Sequence, residues 1–202
     1  MDVLTGITLA APAGVNAYIP LLAVALAERL GWVTLRQPFD VMGQWWFIAL
    51  VAVLLTVELV ADKVPAVDHV NDVIQTFVRP AAGGLVAVAS SGQGRVEPWL
   101  LLGAGVLIAG GVHAVKASAR PVINATTGGT GAPVVSTIED VGAAGVSVMA
   151  ILLPLITVLL VVCGLAVTVW GVWRWRRRRS LRRAGVTEAG SPAEGMRADE
   201  RL

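Results

Sequence analysis

The chain has 202 residues, 55% of them hydrophobic and only 15% charged, with a mean hydropathy of +0.72. Soluble domains carry about 25% charged residues, so this composition excludes an ordinary soluble domain and predicts one integral membrane bundle. The net charge of +2 does not predict a nucleic-acid partner, because nine of the sixteen basic residues lie between Arg174 and Arg201, leaving seven basic against ten acidic residues elsewhere.

The basic cluster, "RWRRRRSLRR", sits directly after an apolar run. Clusters in that position set topology and attract anionic lipid, at about 1 kcal/mol per residue near the surface. The lone Cys163 lies in an apolar run, which excludes a disulfide framework and a cysteine metal site. Asp2 and the lack of a basic n-region argue against a secretory signal, so the first helix is expected to stay in the mature protein.

A spanning helix needs about 20 apolar residues. The first candidate runs from Val3 to about Leu30 and is interrupted by "PAGVNAYIP". Pro12, Gly14 and Pro20 weaken its backbone ladder and Asn16 is polar at mid-depth, so the helix is expected to be broken. Freed backbone groups at that depth must be buried in protein or line a wet cavity. The second candidate runs from Gln44 to about Ala61, opened by Trp45 and Trp46 as an interfacial belt. The third starts near Asp72 and runs to about Ser90. The fourth covers Pro98 to Arg120 and is rich in small residues that let membrane helices approach.

The last apolar stretch, Ile138 to Trp173, would be about 54 Å long as one helix. That exceeds a hydrocarbon core of about 30 Å, so it is split near Pro154 into two. The predicted fold is therefore an all-α polytopic membrane bundle, residues 1–175, of about six spans. Residues 176–202 form a basic, then acidic, disordered tail. Six spans place the arginine tail, the N-terminus and the loops around Lys63 and Lys116–Arg120 on the cytoplasmic side. That obeys the positive-inside rule, and the expected location is the inner cell membrane.

"DHVNDVIQ" and "VSTIEDVG" resemble each other, each following an inward-running helix that ends in charge and proline. They suggest two related hairpins, helices two–three and four–five. Chance similarity of two membrane hairpins stands beside that reading.

The polar residues follow helical spacing. Glu58 and Asp62 share one face, as do Asp68 and Asp72 if their turn is helical; His113, Lys116 and Arg120 share another. Charges within membrane segments are costly and usually face the interior and pair. The economical arrangement sets the acidic face of one hairpin against the basic face of the other. Asn16, Arg79, Asn124, Glu139 and Asp140 would complete the cluster. Duller roles compete: Lys63, Lys116 and Arg120 can snorkel at helix ends, Asp72 can cap, and Ser136 with Glu139 matches a capping box. Glu58 and His113 lie about a turn inside their apolar runs, which favours a functional or buried-pair role. "TTGGTGAP" has the glycines of an anion nest but not the ending of a P-loop, so it reads as a flexible loop.

"GVNAYIPLL", "ELVADKVPAVDHVND", and "HAVKASARPVIN" followed by "STIEDV" together resemble the family called domain of unknown function 4126, over about residues 4 to 160. The resemblance implies a bacterial integral membrane protein and no particular activity. It marks Gly14, Asn16, Glu58, Asp62, Lys63, Pro65, Asp68, His113, Lys116, Asn124, Glu139 and Asp140 as motif positions.

Two working functions and a structural one stay open. In a small transporter or channel, Glu58, Asp62 and His113 bind a cation or relay a proton, and Lys116 and Arg120 balance charge or hold an anionic group. Asn16, Asn124, Glu139 and Asp140 would line the same pathway, and a homo-oligomer is expected from the small bundle. In a membrane enzyme acting on a phosphate-bearing headgroup, Asp62, Asp68 and Asp72 would hold a divalent metal. No prenyl-transfer, alcohol-phosphotransferase or membrane-phosphatase motif accompanies them, so no catalytic residue is assigned and the cofactor is unknown. In a scaffold, the charges merely lock two hairpins together.

Overall fold

A computed structural model describes residues 3–62, 65–92, 96–128, 130–164, 166–167, 170–171 and 173–174, with the backbone alone at 65–70, 72 and 124. All regular structure among the described residues is helical. In chain order it comprises α1 (Val3–Val15), α2 (Tyr18–Arg29), a 3-10 turn (Phe39–Gly43), α3 (Trp45–Ala61), α4 (Pro65–Ala89), α5 (Pro98–Thr127) and α6 (Ala132–Leu152). A further apolar helix, α7, covers Pro154–Gly164. The chain forms two units, Met1–Val161 and Val162–Leu202. In the second, the Arg174 guanidinium lies 5.1 Å from the Trp170 ring centre.

The expected break in the first helix falls at Asn16 and Ala17. The Asn16 N–H still donates to Pro12 O at 3.0 Å, closing α1. Its side-chain Oδ1 then accepts from the N–H groups of Tyr18 (3.1 Å) and Ile19 (3.3 Å), which opens α2. Pro20 costs α2 nothing, because first-turn N–H groups have no intrahelical acceptor. One residue thus ends one helix with its backbone and starts the next with its side chain.

α1 is buried along nearly its whole length and packs against α4, α5 and α6. α3 packs on α2 more than on its neighbour α4, and α6 packs on α1 and α2 more than on α5. Both hairpins are therefore opened, with the broken helix between them. α4 and α5 make the closest pairing, because Gly83, Gly84 and Gly105 bring the two backbones together.

Each outer helix buries a narrow stripe of small and polar residues. On α5 the stripe is Leu101, Gly105, Ala109, His113 and Lys116; on α6 it is Ser136, Asp140, Ala143, Ser147 and Ala150. Steps of three and four hold these on one face. Large apolar side chains point outward: Val53 and Val57 on α3, Phe77 on α4, Leu107 on α5, Ile138 and Val141 on α6. α5 and α6 are long and apolar enough to cross a membrane, with mean hydropathies of 1.7 and 1.5; α1, α3, Val73–Ala89 of α4 and α7 are shorter apolar helices.

Several element boundaries differ from the sequence expectation. α4 begins at Pro65, not near Asp72, since proline is well tolerated in a helix's first turn. Asp72 is therefore inside the helix and does not cap it. α5 continues through Pro121 to Thr127. α6 begins at Ala132 with Pro133 in its first turn, so Ser136 and Glu139 are a full turn inside and form no capping box. "TTGGTGAP" contributes a tight turn, with Gly128 at φ +60° and the Gly131 N–H donating to Thr127 Oγ1 at 3.1 Å. The division near Pro154 is present: Leu153 leaves helical geometry at φ −139°, ψ 65° between α6 and α7.

Candidate functional site

The polar residues of α1/α2, α3, α4, α5 and α6 meet in the interior as three linked groups. The first centres on Arg79 of α4, which is fully buried. Its NH2 donates to Glu58 Oε1 of α3 at 2.9 Å, with side-chain exposures of 0% and 1%. Its NH1 lies 3.1 Å from His113 Nδ1 of α5. A guanidinium has donors only, so Nδ1 must be the accepting nitrogen of the imidazole. The proton of neutral His113 is then on Nε2, which faces Thr76 Oγ1 at 3.2 Å. Arg79 thereby sets the tautomer of His113 and supplies the charge that Glu58 needs.

The second group centres on Asp62, which follows the last turn of α3 and is 4% exposed. Its Oδ1 accepts from Asn71 Nδ2 at 2.9 Å. Its Oδ2 accepts from Arg120 NH2 at 3.3 Å and from Ser136 Oγ at 3.1 Å. One carboxylate thus ties α3 to α4, α5 and α6. The third group holds the helix break. Lys116 Nζ donates to Val15 O, the last carbonyl of α1, at 2.9 Å and pairs with Glu139 Oε2 at 2.9 Å. Asn16 Nδ2 donates to Asp140 Oδ1 at 3.0 Å. The orientation of the Asn16 amide is unambiguous, since its oxygen is already committed to the N–H groups of α2.

Seven of the expected pathway residues, Asn16, Glu58, Asp62, His113, Lys116, Glu139 and Asp140, are brought together here, with Arg120 at the edge. A small, partly open pocket beside this cluster is lined by Arg120, Ser136, Glu139, Ile123, Ala132 and Val135. The side chain of Asn124 lies outside the described residues. So do those of Asp68 and Asp72 of the expected metal set, and all of Lys63. The third of that set, Asp62, engages Asn71, Arg120 and Ser136. Among the described residues no group of three His, Cys, Asp or Glu side chains is close enough to hold a metal ion.

The pairing within the cluster differs from the expected one. Asp62 does meet Arg120, but Glu58 pairs with Arg79 of its own hairpin, not with the basic face of α5. Arg79 stands between Glu58 and His113, so these two are linked through a permanent cation. Asn71, Thr76 and Ser136 enter the site without having been singled out for it. A signal existed for α4: Gln75 and Arg79 are polar residues one helical turn apart within an otherwise apolar stretch.

Seven motif positions, Asn16, Glu58, Asp62, His113, Lys116, Glu139 and Asp140, thus meet in the core, and the family model matches residues 3–174, nearly the entire helical part, as a domain of unknown function (DUF4126). The chain belongs to the DUF4126 family. No curated protein and no solved structure matches it. In this DUF4126 chain Asn16 does double duty as helix cap and Asp140 donor. Asn16→Ala is expected to cost about 1 kcal/mol from the lost cap alone. Asn16→Ser should recover most of that, read as the unfolding temperature of the purified protein.

Proposed function

We propose that this protein is a multi-pass membrane transporter or channel that moves an ion or small polar solute through the acidic and basic core around the broken helix. The observation that carries the reading is the inverted distribution of polarity. Glu58, Asp62, Arg79, His113 and Lys116 are each 6% exposed or less, while Phe77, Leu107, Ile138 and Val141 are 66–76% exposed. Soluble proteins seldom present so much contiguous apolar surface, whereas a bundle in lipid gains by it. Charged groups inside such a bundle mark solute or proton paths more often than simple struts. A helix broken between its partners, with its freed carbonyl held by Lys116, is a recurrent feature of substrate sites at mid-membrane.

The finer features follow the same reading. The α1–α2 pair, α3, α4, α5, α6 and the apolar stretch from Pro154 to Trp173 that α7 opens supply six crossings, with α3, at 17 residues, at the short end of the usable range. Both termini are cytoplasmic, in the inner cell membrane, and the arginine tail rests on anionic lipid. The two opened hairpins, α3–α4 and α5–α6, are the halves of the internal repeat, and a homo-oligomer widens the path that one small bundle affords.

Flux into proteoliposomes, driven by imposed proton, sodium, potassium or chloride gradients, tests the proposal. The wild type is expected to dissipate at least one gradient faster than empty vesicles. Glu58→Gln, which keeps an acceptor for Arg79 but removes the charge, is expected to abolish that flux with the fold retained. Wild-type vesicles as tight as empty ones to all four ions would refute an ion path, and unchanged flux in Glu58→Gln would remove Glu58 from it.

A further inference from the structure

Three polar atoms of the Arg79 group have no protein partner although each is buried: Glu58 Oε2, Arg79 Nε and Gln75 Oε1. The side chains concerned are among the most enclosed in the molecule, with Arg79 at 0% and Glu58 and Gln75 at 2% exposure. Leaving such atoms bare costs about 1–3 kcal/mol each, more where a charge is involved. Native interiors rarely leave them so.

The stereochemistry of the pair makes their coincidence specific. In arginine, Nε–H and one N–H of NH2 point the same way and form the side-on fork. A carboxylate normally fills that fork at two points. Here NH2 meets Glu58 Oε1 at 2.9 Å, but Nε and Oε2, the other two corners of the same rectangle, are both unmatched. The carboxylate is therefore turned about its one contact, which opens a wedge between a donor and an acceptor. Gln75 precedes Arg79 by one helical turn on the same face of α4, is equally enclosed, and its Oε1 is the third unmatched atom. The Tyr18 hydroxyl, at the start of α2, is within hydrogen-bonding reach of the Gln75 side chain and feels the charges of Glu58 and Arg79, so the four belong to one electrostatic neighbourhood.

We propose that this wedge is a binding site for a single water molecule, accepting from Arg79 Nε–H and donating to Glu58 Oε2 and Gln75 Oε1. One acceptor function and two donor functions are what the three atoms require, and they are what a water molecule supplies. A bare cation is disfavoured beside the guanidinium, and an anion beside Glu58. The site is independent of whether the bundle conducts. It makes the central ion pair a solvated one, so that Glu58 can separate from Arg79 without either group losing all its partners.

Water-edited solid-state NMR on protein labelled with 15N-arginine in lipid tests the site, together with an experimental structure at a resolution that shows ordered waters. Fast magnetisation transfer from water to Arg79 Nε is expected, with one compact density peak in hydrogen-bond range of all three atoms. Gln75→Leu is expected to slow the transfer while the Arg79 signal keeps its folded chemical shift. A two-point Arg79–Glu58 pair with no intervening density would overturn the proposal. So would elongated density of a larger ligand, or transfer in the wild type as slow as in Gln75→Leu.

Discussion

Arg79→Met is expected to lower the unfolding temperature of the detergent-solubilised protein by about 10 °C, and Glu58→Leu combined with Arg79→Met to restore most of that loss. The single change leaves the Glu58 carboxylate buried on α3 without its counter-charge, 2% exposed and with Oε2 already unpartnered in the protein. Removing one partner of a buried pair costs about 3–5 kcal/mol, and a chain of this size loses about 2–4 °C per kcal/mol. The double change removes both charges and fills their volume with apolar atoms, which is often neutral or better. A residual deficit belongs to His113, whose Nδ1 loses its donor at 3.1 Å. Recovery of stability without recovery of flux would assign the pair to function. Equal stability of wild type and Arg79→Met would mean that Glu58 takes up a proton or finds water, and the pair would not be a structural tie.

Gly105→Val is expected to destabilise the bundle by about 1–3 kcal/mol, or more if the helices cannot separate. On the proposed transport reading it is also expected to lower ion flux. A side chain at Gly105 would collide with Gly83 O and come within 2.8 Å of both Ala87 Cβ and Gly84 Cα. None of these is the end of a flexible chain, so α4 and α5 must move apart. α4 carries Thr76 and Arg79, and α5 carries His113, two turns along from Gly105. The contacts at 3.1 and 3.2 Å between them depend on that spacing. Gly103→Val is the control, because a side chain there meets nothing within 4 Å. Comparable loss in both variants would trace the effect to helix propensity, not to the α4–α5 contact.

The site was partly legible in the residues themselves. Asn16, Glu58 and His113 stand out because a polar side chain inside an apolar run must find a partner. Helical spacing alone places His113, Lys116 and Arg120 on one face, and the buried stripe of α5 follows it. Asp62 with Arg120 is the expected cross-hairpin pair, and it is present at 3.3 Å. The choice of partner for Glu58 was not legible, since Arg79 and the α5 bases satisfy the same charge rule. Only the packing of α3 on α4 in the folded chain distinguishes them. Ser136 and Asp72 read as caps because Ser and Asp suit helix starts. The prolines at 65 and 133 start those helices earlier and carry both residues inside.

Composition and periodicity by themselves determined that the chain is helical, where most helices lie, that the first is broken near Asn16 and that the last apolar stretch divides at Pro154. These are local consequences of apolar run length, proline and polar interruption. The tertiary structure decided what lies beside what. The broken helix separates the members of both hairpins, Arg79 stands between Glu58 and His113, and Lys116 holds the freed carbonyl of Val15. Those outcomes depend on close approach at Gly83 and Gly105 and on burial shared among five helices, which no single segment encodes.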